Sequence, residues 1–365
     1  MSQTTQNIIF ALCTTLPLLI SGCQVVSVKN QALNVSIANE RDSILTRNKM
    51  SEASLNVLSM TGREAENCTE DPKKCIEELE KIPEILDEQF LSTASEAYLT
   101  KALELSNTSE CNVSLINKYQ SEETKKVHQA QYNDCLDQQM TLLDKSIRYS
   151  YAYLFKTKRH PQERLFDNRQ VQIRDFYNQA LAKLITNYGL RYTGEKVPKQ
   201  IKVGDSIYSI NYDHYPEISN RKLDSLLSSY NLNFSGLRSI NRRDGFGSEF
   251  VATLPAPENK DAGKYIVDPL NHDYQGGINP NIHQPRYLSV TMTAEPESAA
   301  SVDEIIHHPN FKLNIYDPYR VEKLNIGGKD YPLAANFSAP YGLWLAENNL
   351  GAAAYLSLID RDNSI

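Results

Sequence analysis

An α+β protein is predicted, with an N-terminal helical domain of helix hairpins followed by a mainly antiparallel α+β domain. Three observations carry the prediction. Apolar residues recur at helical spacing over 42–188, as in Phe176, Ala180, Leu184 and Tyr188. From Thr193 the period falls to two, as in Tyr208, Ile210 and Tyr212. Glycine turns at Gly204-Asp205 and Gly327-Gly328 then separate alternating runs, which is a hairpin signature. The implied division is a leader over 1–22, a polar tether over 23–45, a helical domain over 46–190, an α+β domain over 191–350 and a C-terminal segment over 351–365.

The leader is an uncharged apolar run over 8–20 that ends in Ile20-Ser21-Gly22-Cys23. This resembles a bacterial lipobox: a branched apolar residue, two small residues, then a cysteine whose thiol accepts a diacylglyceryl group. The small residues let an extended backbone reach the peptidase cleft. The resemblance implies that 1–22 are removed and that an acylated Cys23 becomes the first residue, tethered to a membrane. Attachment by more than one acyl chain is stable, at about 0.8 kcal/mol per buried CH₂. A transmembrane helix is disfavoured, since the run falls short of the roughly 20 residues needed to span a bilayer and Pro17 interrupts it. An ordinary secretory leader with an incidental cysteine is the alternative, and residues 1–7 carry no Lys or Arg. Gln24 follows the cysteine where an acidic residue would imply inner-membrane retention. By resemblance to that sorting rule, the expected address is the outer membrane, facing the periplasm or the cell surface.

The remaining chain is long enough for about two domains with sizeable cores. Net charge is −7, with both signs mixed along the sequence, so no basic stripe for nucleic acid is present. Tyrosine is abundant at 21, which fits either half-buried packing or a glycan or protein surface in the envelope. Apart from Cys13 and Cys23, four cysteines remain: Cys68, Cys75, Cys111 and Cys135. An even number outside the cytosol predicts two disulfides with three connectivities open. Cys68 and Cys75 flank a turn-like Thr69-Glu70-Asp71-Pro72, which fits a local bridge and would leave Cys111 with Cys135. Zinc is disfavoured, because no CxxC pair or suitably spaced histidine accompanies them. No cofactor is called for.

Helical faces follow in order. Ile76, Leu79 and Ile82 share one before Pro83, and Leu86, Phe90, Ala94, Ala97 and Lys101 continue the spacing. Over 122–155 a stripe holds Val127, Cys135, Leu136, Leu143, Ile147, Tyr151 and Leu154. A last helix over 168–188 is predicted to stop at Gly189. Such helix pairs are compatible with a tetratricopeptide-like array, but no sustained self-similarity of about 34 residues supports it. Strands are predicted at Ile201/Val203, Tyr208 to Tyr212, Phe250/Ala252/Leu254, Leu288/Val290/Met292, Phe311/Leu313/Ile315, and on either side of Gly327-Gly328. A helix with Tyr341, Trp344 and Leu345 follows over 338–348, and 255–285 reads as a long surface loop.

Catalytic constellations are absent from the sequence. There is no G-x-S-x-G elbow, Walker loop, HExxH or dinucleotide fingerprint. Gly245-Phe246-Gly247-Ser248 lacks a P-loop lysine and a following helix, and reads as a turn into a strand. His307-His308, Asp213-His214 and His272-Asp273 are loop histidines with no nucleophile at a matching spacing. Arg242-Arg243 reads as a solvated turn, with an anion grip as the sharper alternative. No catalytic residue is assigned.

Three segments carry a resemblance: NRQVQIRDFYNQALAKLI over 168–185, RRDGFGSEFVATLP over 242–255, and LNIYDPYRVEKLNIGGKDYPLAANFSAPYGLWLAENNLG over 313–351. Their order and spacing are similar to the amino-terminal accessory region of Gram-negative envelope proteins with an α/β-hydrolase domain. The resemblance implies esterase- or lipase-like chemistry in a catalytic portion beyond this region, and none of its catalytic residues falls on a position here. The apolar run over 351–359 fits a segment about to enter another domain's sheet, or a strand on the chain's own core. The alternative to an accessory region is a free-standing, non-enzymatic binding or scaffold lipoprotein.

Overall fold

The structure is a computed structural model that describes residues 26–30, 50–112, 121–158, 167–192, 198–219, 223, 225–237, 240–254, 287–297, 301–307 and 310–346. Cys23 with its leader, the surface loop expected over 255–285, His272, His308 and the apolar run over 351–359 lie outside the described residues.

The first half is helical: α1 (Glu52–Met60), α2 (Ala65–Glu70), α3 (Pro72–Leu79), α4 (Asp87–Leu105), α5 (Glu122–Lys156) and α6 (Asn168–Arg191). Their starts follow capping chemistry. The side chains of Ser51, Asp71 and Asp167 accept from the backbone N–H groups of Ser54, Lys74 and Arg169, and Pro72 occupies the first turn of α3. The helices range from 6 to 35 residues, so the tetratricopeptide-like expectation finds no support among the described residues. Gly189, a predicted stop, lies within α6. Glycine ends a helix by turning left-handed, and Gly189 does not; the last turn closes beyond it, where Tyr192 N donates to Tyr188 O at 2.9 Å.

Helices α4 and α5 pack antiparallel. Ser95 Oγ meets Ser150 Oγ at 2.6 Å, and the segment after α4 is tied back by the Cys111–Cys135 disulfide. That register carries the first turns of α5 past the end of α4. Val127, predicted on the buried stripe, is accordingly 53% exposed. The other bridge, Cys68–Cys75, joins α2 to α3.

The second half contributes β2 (Gln200–Val203), β3 (Ser206–Asn211), β4 (Ser225–Ser228), β7 (Ser248–Thr253), β8 (Tyr287–Pro296) and β9 (Asn310–Tyr316) to one six-stranded sheet. The order is β2-β3-β9-β8-β7-β4, antiparallel throughout except for β3 beside β9. The fold is therefore α+β with a mixed sheet. Smaller pairs surround it: β1 (Ser27–Asn30) with β5 (Leu232–Ser235), β6 (Arg242–Arg243) with β12 (Ala335–Asn336), and the hairpin β10 (Lys323–Ile326) with β11 (Lys329–Pro332). Strand β1 falls inside the expected tether. A short helix α7 (Pro216–Ser219) follows β3, α8 (Val302–His307) precedes β9, and helical turns over 338–346 follow β12.

One apolar cluster runs through both halves. Leu143, Ile147, Ile173, Ala180 and Leu184 of α5 and α6 share it with Tyr208, Val290, Ala294 and Phe311 of the sheet. On the other face, Val251 of β7 packs with Ala339 and Leu343. Period-two alternation explains this: Leu288, Val290 and Met292 turn inward, while Ser289 and Thr291 turn outward to donate to Asn336 O and Ala334 O.

Arg148 of α5 is fully buried and fastens the halves together. Its Nη1 donates to Ile306 O at 2.8 Å, and its Nη2 reaches Asp144 at 2.5 Å, Asp205 at 2.7 Å and Ser206 Oγ at 2.5 Å. Asp144 also accepts from the hydroxyls of Ser206 and Tyr208. Burial pushes the Asp144 carboxyl up, against the opposing pull of Arg148 and the two hydroxyls. Burial also holds the Tyr208 phenol well above its ordinary value, with Asp144 adding to it.

Arg148→Met should destabilise the protein by about 3–5 kcal/mol in urea unfolding, because Asp144 is left charged and buried without its partner. The double variant Asp144→Leu, Arg148→Met should lose less than the single one, since it removes both charges from the interior.

Candidate functional site

The turn Gly245-Phe246-Gly247 between β6 and β7 is the meeting point of segments far apart in sequence. Asn178 of α6 grips it from below: its Nδ2 donates to Gly245 O at 2.9 Å, and its Oδ1 accepts from Gly247 N at 2.8 Å. Ser248 Oγ donates to the backbone oxygen of Asn178. Phe246 N donates to Pro332 O and Ala334 N to Phe246 O, at 2.9 and 3.0 Å. Both glycines are required by space. A Cβ on Gly245 would sit 2.5 Å from Ala334 N, and Gly247 has φ +114° with Thr291 Cγ2 2.7 Å from its missing Cβ.

Arg242 and Arg243 do not form the solvated turn expected of them. Arg242 Nε lies 3.0 Å from Glu249 Oε1, and its guanidinium stands over the Tyr230 ring. Arg243 donates to the carbonyls of Leu333, Pro318 and Val321, binding the 317–334 segment to the turn. Both are half-buried fasteners.

Two concavities open beside this turn and share Arg174 and Gly245 in their walls. The smaller is polar and holds about 20 Å³ between Asn178, Gln179, Tyr230, Arg242 and Glu249. That is room for about one water, and the buried Gln179 Oε1 points to no protein partner there. The larger is a cleft of about 200 Å³ between the end of α5, the start of α6 and the β10–β11 hairpin. Its walls are Leu154, Phe155, Val171, Phe246, Tyr331 and Pro332, with Gln170, Arg174 and Asp330 as the polar groups. Phe155 stands edge-on to Phe246 and Tyr331, at centroid distances of 4.8 and 5.0 Å. Phe246 in turn stacks on Tyr177 at 4.3 Å, so the cleft floor is continuous with the core.

The four cysteines lie elsewhere, in the helical half, paired as Cys68–Cys75 and Cys111–Cys135. His214 stacks on Tyr316 at 4.6 Å, and His307 lies 3.6 Å from Glu80 on the surface. No group of three or more His, Cys, Asp or Glu suited to a metal occurs among the described residues. No helix among them is long and apolar enough to cross a membrane. Sequence reading missed Arg174, Phe155 and Tyr331 as neighbours, because they stand on three different elements, α5, α6 and the β10–β11 hairpin. The only local trace was the Gly-Phe-Gly turn. Comparison with family models, curated proteins and solved structures found no match for this chain.

Asn178→Leu should leave the Gly245 carbonyl and the Gly247 amide buried without partners. The expected cost is about 1–3 kcal/mol for each group, read as a lower urea midpoint. Gly245→Ala should be at least as damaging, because backbone rather than a flexible side chain fills the space.

Proposed function

We propose that this chain is a lipid-anchored envelope protein without chemistry of its own, built as the accessory region of an α/β-hydrolase-like (esterase- or lipase-like) protein. In that reading an acylated Cys23 holds it to the outer membrane. A helical part and a mainly antiparallel α+β part stand on the periplasmic or surface side and form a wall or scaffold for a catalytic portion. The observation that supports an extracytoplasmic address is the closure of both cysteine pairs, since disulfides persist in oxidising compartments. Support for a single accessory unit comes from the three segments 168–185, 242–255 and 313–351, which meet at the Gly245-Phe246-Gly247 turn. The second reading is a free-standing binding or scaffold lipoprotein with a protein or glycan partner, and the cleft beside the turn favours it.

Intact-mass analysis of membrane-expressed protein should show loss of 1–22 and acyl groups on Cys23, and Cys23→Ser should release or stall the protein. A soluble mature form starting elsewhere would sink the anchor. Removing the Cys111–Cys135 bridge should cost more than removing Cys68–Cys75, within about 2–4 kcal/mol, because the longer loop constrains the unfolded chain more.

The protein should not hydrolyse short- or long-chain p-nitrophenyl esters above a heat-killed control. A serine needs a base and oxyanion donors to act as a nucleophile, so one serine labelled by a fluorophosphonate probe would overturn the non-catalytic reading.

A further inference from the structure

We infer that the cleft between α5, α6 and the β10–β11 hairpin is a binding site for a small aromatic carboxylate, with its ring among Phe155, Phe246 and Tyr331 and its charge on Arg174. The inference goes beyond the envelope role and does not rest on the anchor.

Arg174 is the group that selects the charge. A guanidinium offers five N–H donors in a planar fork that matches a carboxylate. Among the described residues, Arg174 makes one hydrogen bond, from Nη2 to Asp175 Oδ1 at 3.3 Å, and that acceptor is its chain neighbour. Its other ion pair, to Asp244 Oδ2, is 3.8 Å long and so beyond hydrogen-bond reach, and Asp244 is 59% exposed. Arg174 Nε is buried without an acceptor, as are the Nε atoms of Arg63, Arg148 and Arg169, so the spare donors that matter are those on its terminal nitrogens. Arg148, Arg169 and Arg243 each make three or more hydrogen bonds through their guanidinium groups, against the one made by Arg174 on the cavity wall.

The remaining walls select an apolar body. Leu154, Val171 and Pro332 supply aliphatic surface, and the three rings offer edges and faces to a further ring. A volume of about 200 Å³ lies below the usual ~300–1,000 Å³ of small-molecule pockets, so the ligand is compact. Asp330 on the hairpin wall, held by Asn325 Nδ2 at 3.0 Å, orients it: the carboxylate turns toward Arg174 and away from Asp330. The site is also pre-formed. Phe246 is fixed by the Gly245 and Gly247 bonds to Asn178, which limits the ordering cost of binding.

The test is ligand-observed saturation-transfer NMR on the full chain in phospholipid nanodiscs, with 3-phenylpropionate and its neutral amide as probes. The acid should bind with a Kd on the order of 1 mM, as expected for so few heavy atoms. The amide and the Arg174→Gln variant should each weaken binding by about 10-fold or more, the loss expected for one charge-assisted hydrogen bond. In Arg174→Gln the acid and amide should bind alike. Equal binding of acid and amide to the unsubstituted protein would overturn the inference, as would an Arg174→Gln variant that keeps full affinity, or no binding of the acid up to about tenfold above the expected Kd. If Arg174→Gln fails to fold, the acid–amide comparison on the unsubstituted protein decides alone. None of these outcomes depends on whether Cys23 is acylated.

Discussion

A guanidinium leaves water at least cost when its charge and its donors are met inside the protein, and Arg148 meets its charge and both terminal nitrogens with groups from three parts of the chain, leaving Nε without an acceptor. Asp144 comes from its own helix one turn earlier, Asp205 and Ser206 from the β2–β3 turn, and the Ile306 carbonyl from α8. Each contact limits where the next element sits. With α5 placed, β3 must bring Tyr208 onto Asp144, and β9 then follows β3 in parallel register with Phe311 stacked on Tyr208 at 5.3 Å. The helices and the sheet could slide past one another on apolar contacts alone, because such contacts are non-directional. The buried ion pair removes that freedom. Glu96 repeats the device on the other side of the helices, where it accepts from Ser51, Ser54 and Arg169 and ties α1, α4 and α6 together.

Local features were the legible part of the sequence. Helix α5 was readable from 122 because its apolar stripe is contiguous in the chain, and the Gly204-Asp205 and Gly327-Gly328 hairpins were readable because a two-residue turn with at least one glycine sets each. The closure of Cys68 with Cys75 belongs to the same class. Misreadings share one cause, which is dependence on an element elsewhere. Val127 has the right spacing for burial but no α4 beside it, and Gly189 has the right residue type for a stop but keeps right-handed geometry. Arg242 and Arg243 look like a solvated pair until Glu249 and Tyr230 engage the first and the 317–334 segment the second.

The tyrosines show the same limit. Abundance alone left packing and recognition both open, whereas the structure buries Tyr98, Tyr149, Tyr151, Tyr153, Tyr177 and Tyr208 among the helices and sheet. Burial raises the pKa of Tyr98, Tyr149 and Tyr151, which keeps these phenols neutral and suits them to pair with carbonyls and carboxylates. Tyr177 is the clearest case. Its hydroxyl donates to Ala294 O and accepts from Ala294 N, so one residue of a central strand is satisfied by a side chain from the helix above it. An apolar residue there would leave two backbone groups unmet.

The candidate site is the place where these two kinds of constraint meet. Its floor is rigid because Phe246 stacks on Tyr177, itself fixed on Ala294, and because Asn178, one residue further along α6, closes the glycine turn. Its outer wall is a two-stranded hairpin outside the main sheet, joined to the glycine turn by the bond from Phe246 N to Pro332 O, so Tyr331 and Asp330 depend on Phe155 and that turn for their position. A cleft with one wall set by the core and one by a hairpin outside the main sheet can admit a ligand without disturbing that sheet. The cysteines stand apart from it, on the α2–α3 and α4–α5 side, where bridges stiffen helices rather than the cleft. Stabilisation and candidate binding thus fall on different surfaces of the same core, and Arg174 lies on the binding side, with donors left over once the fold has been satisfied.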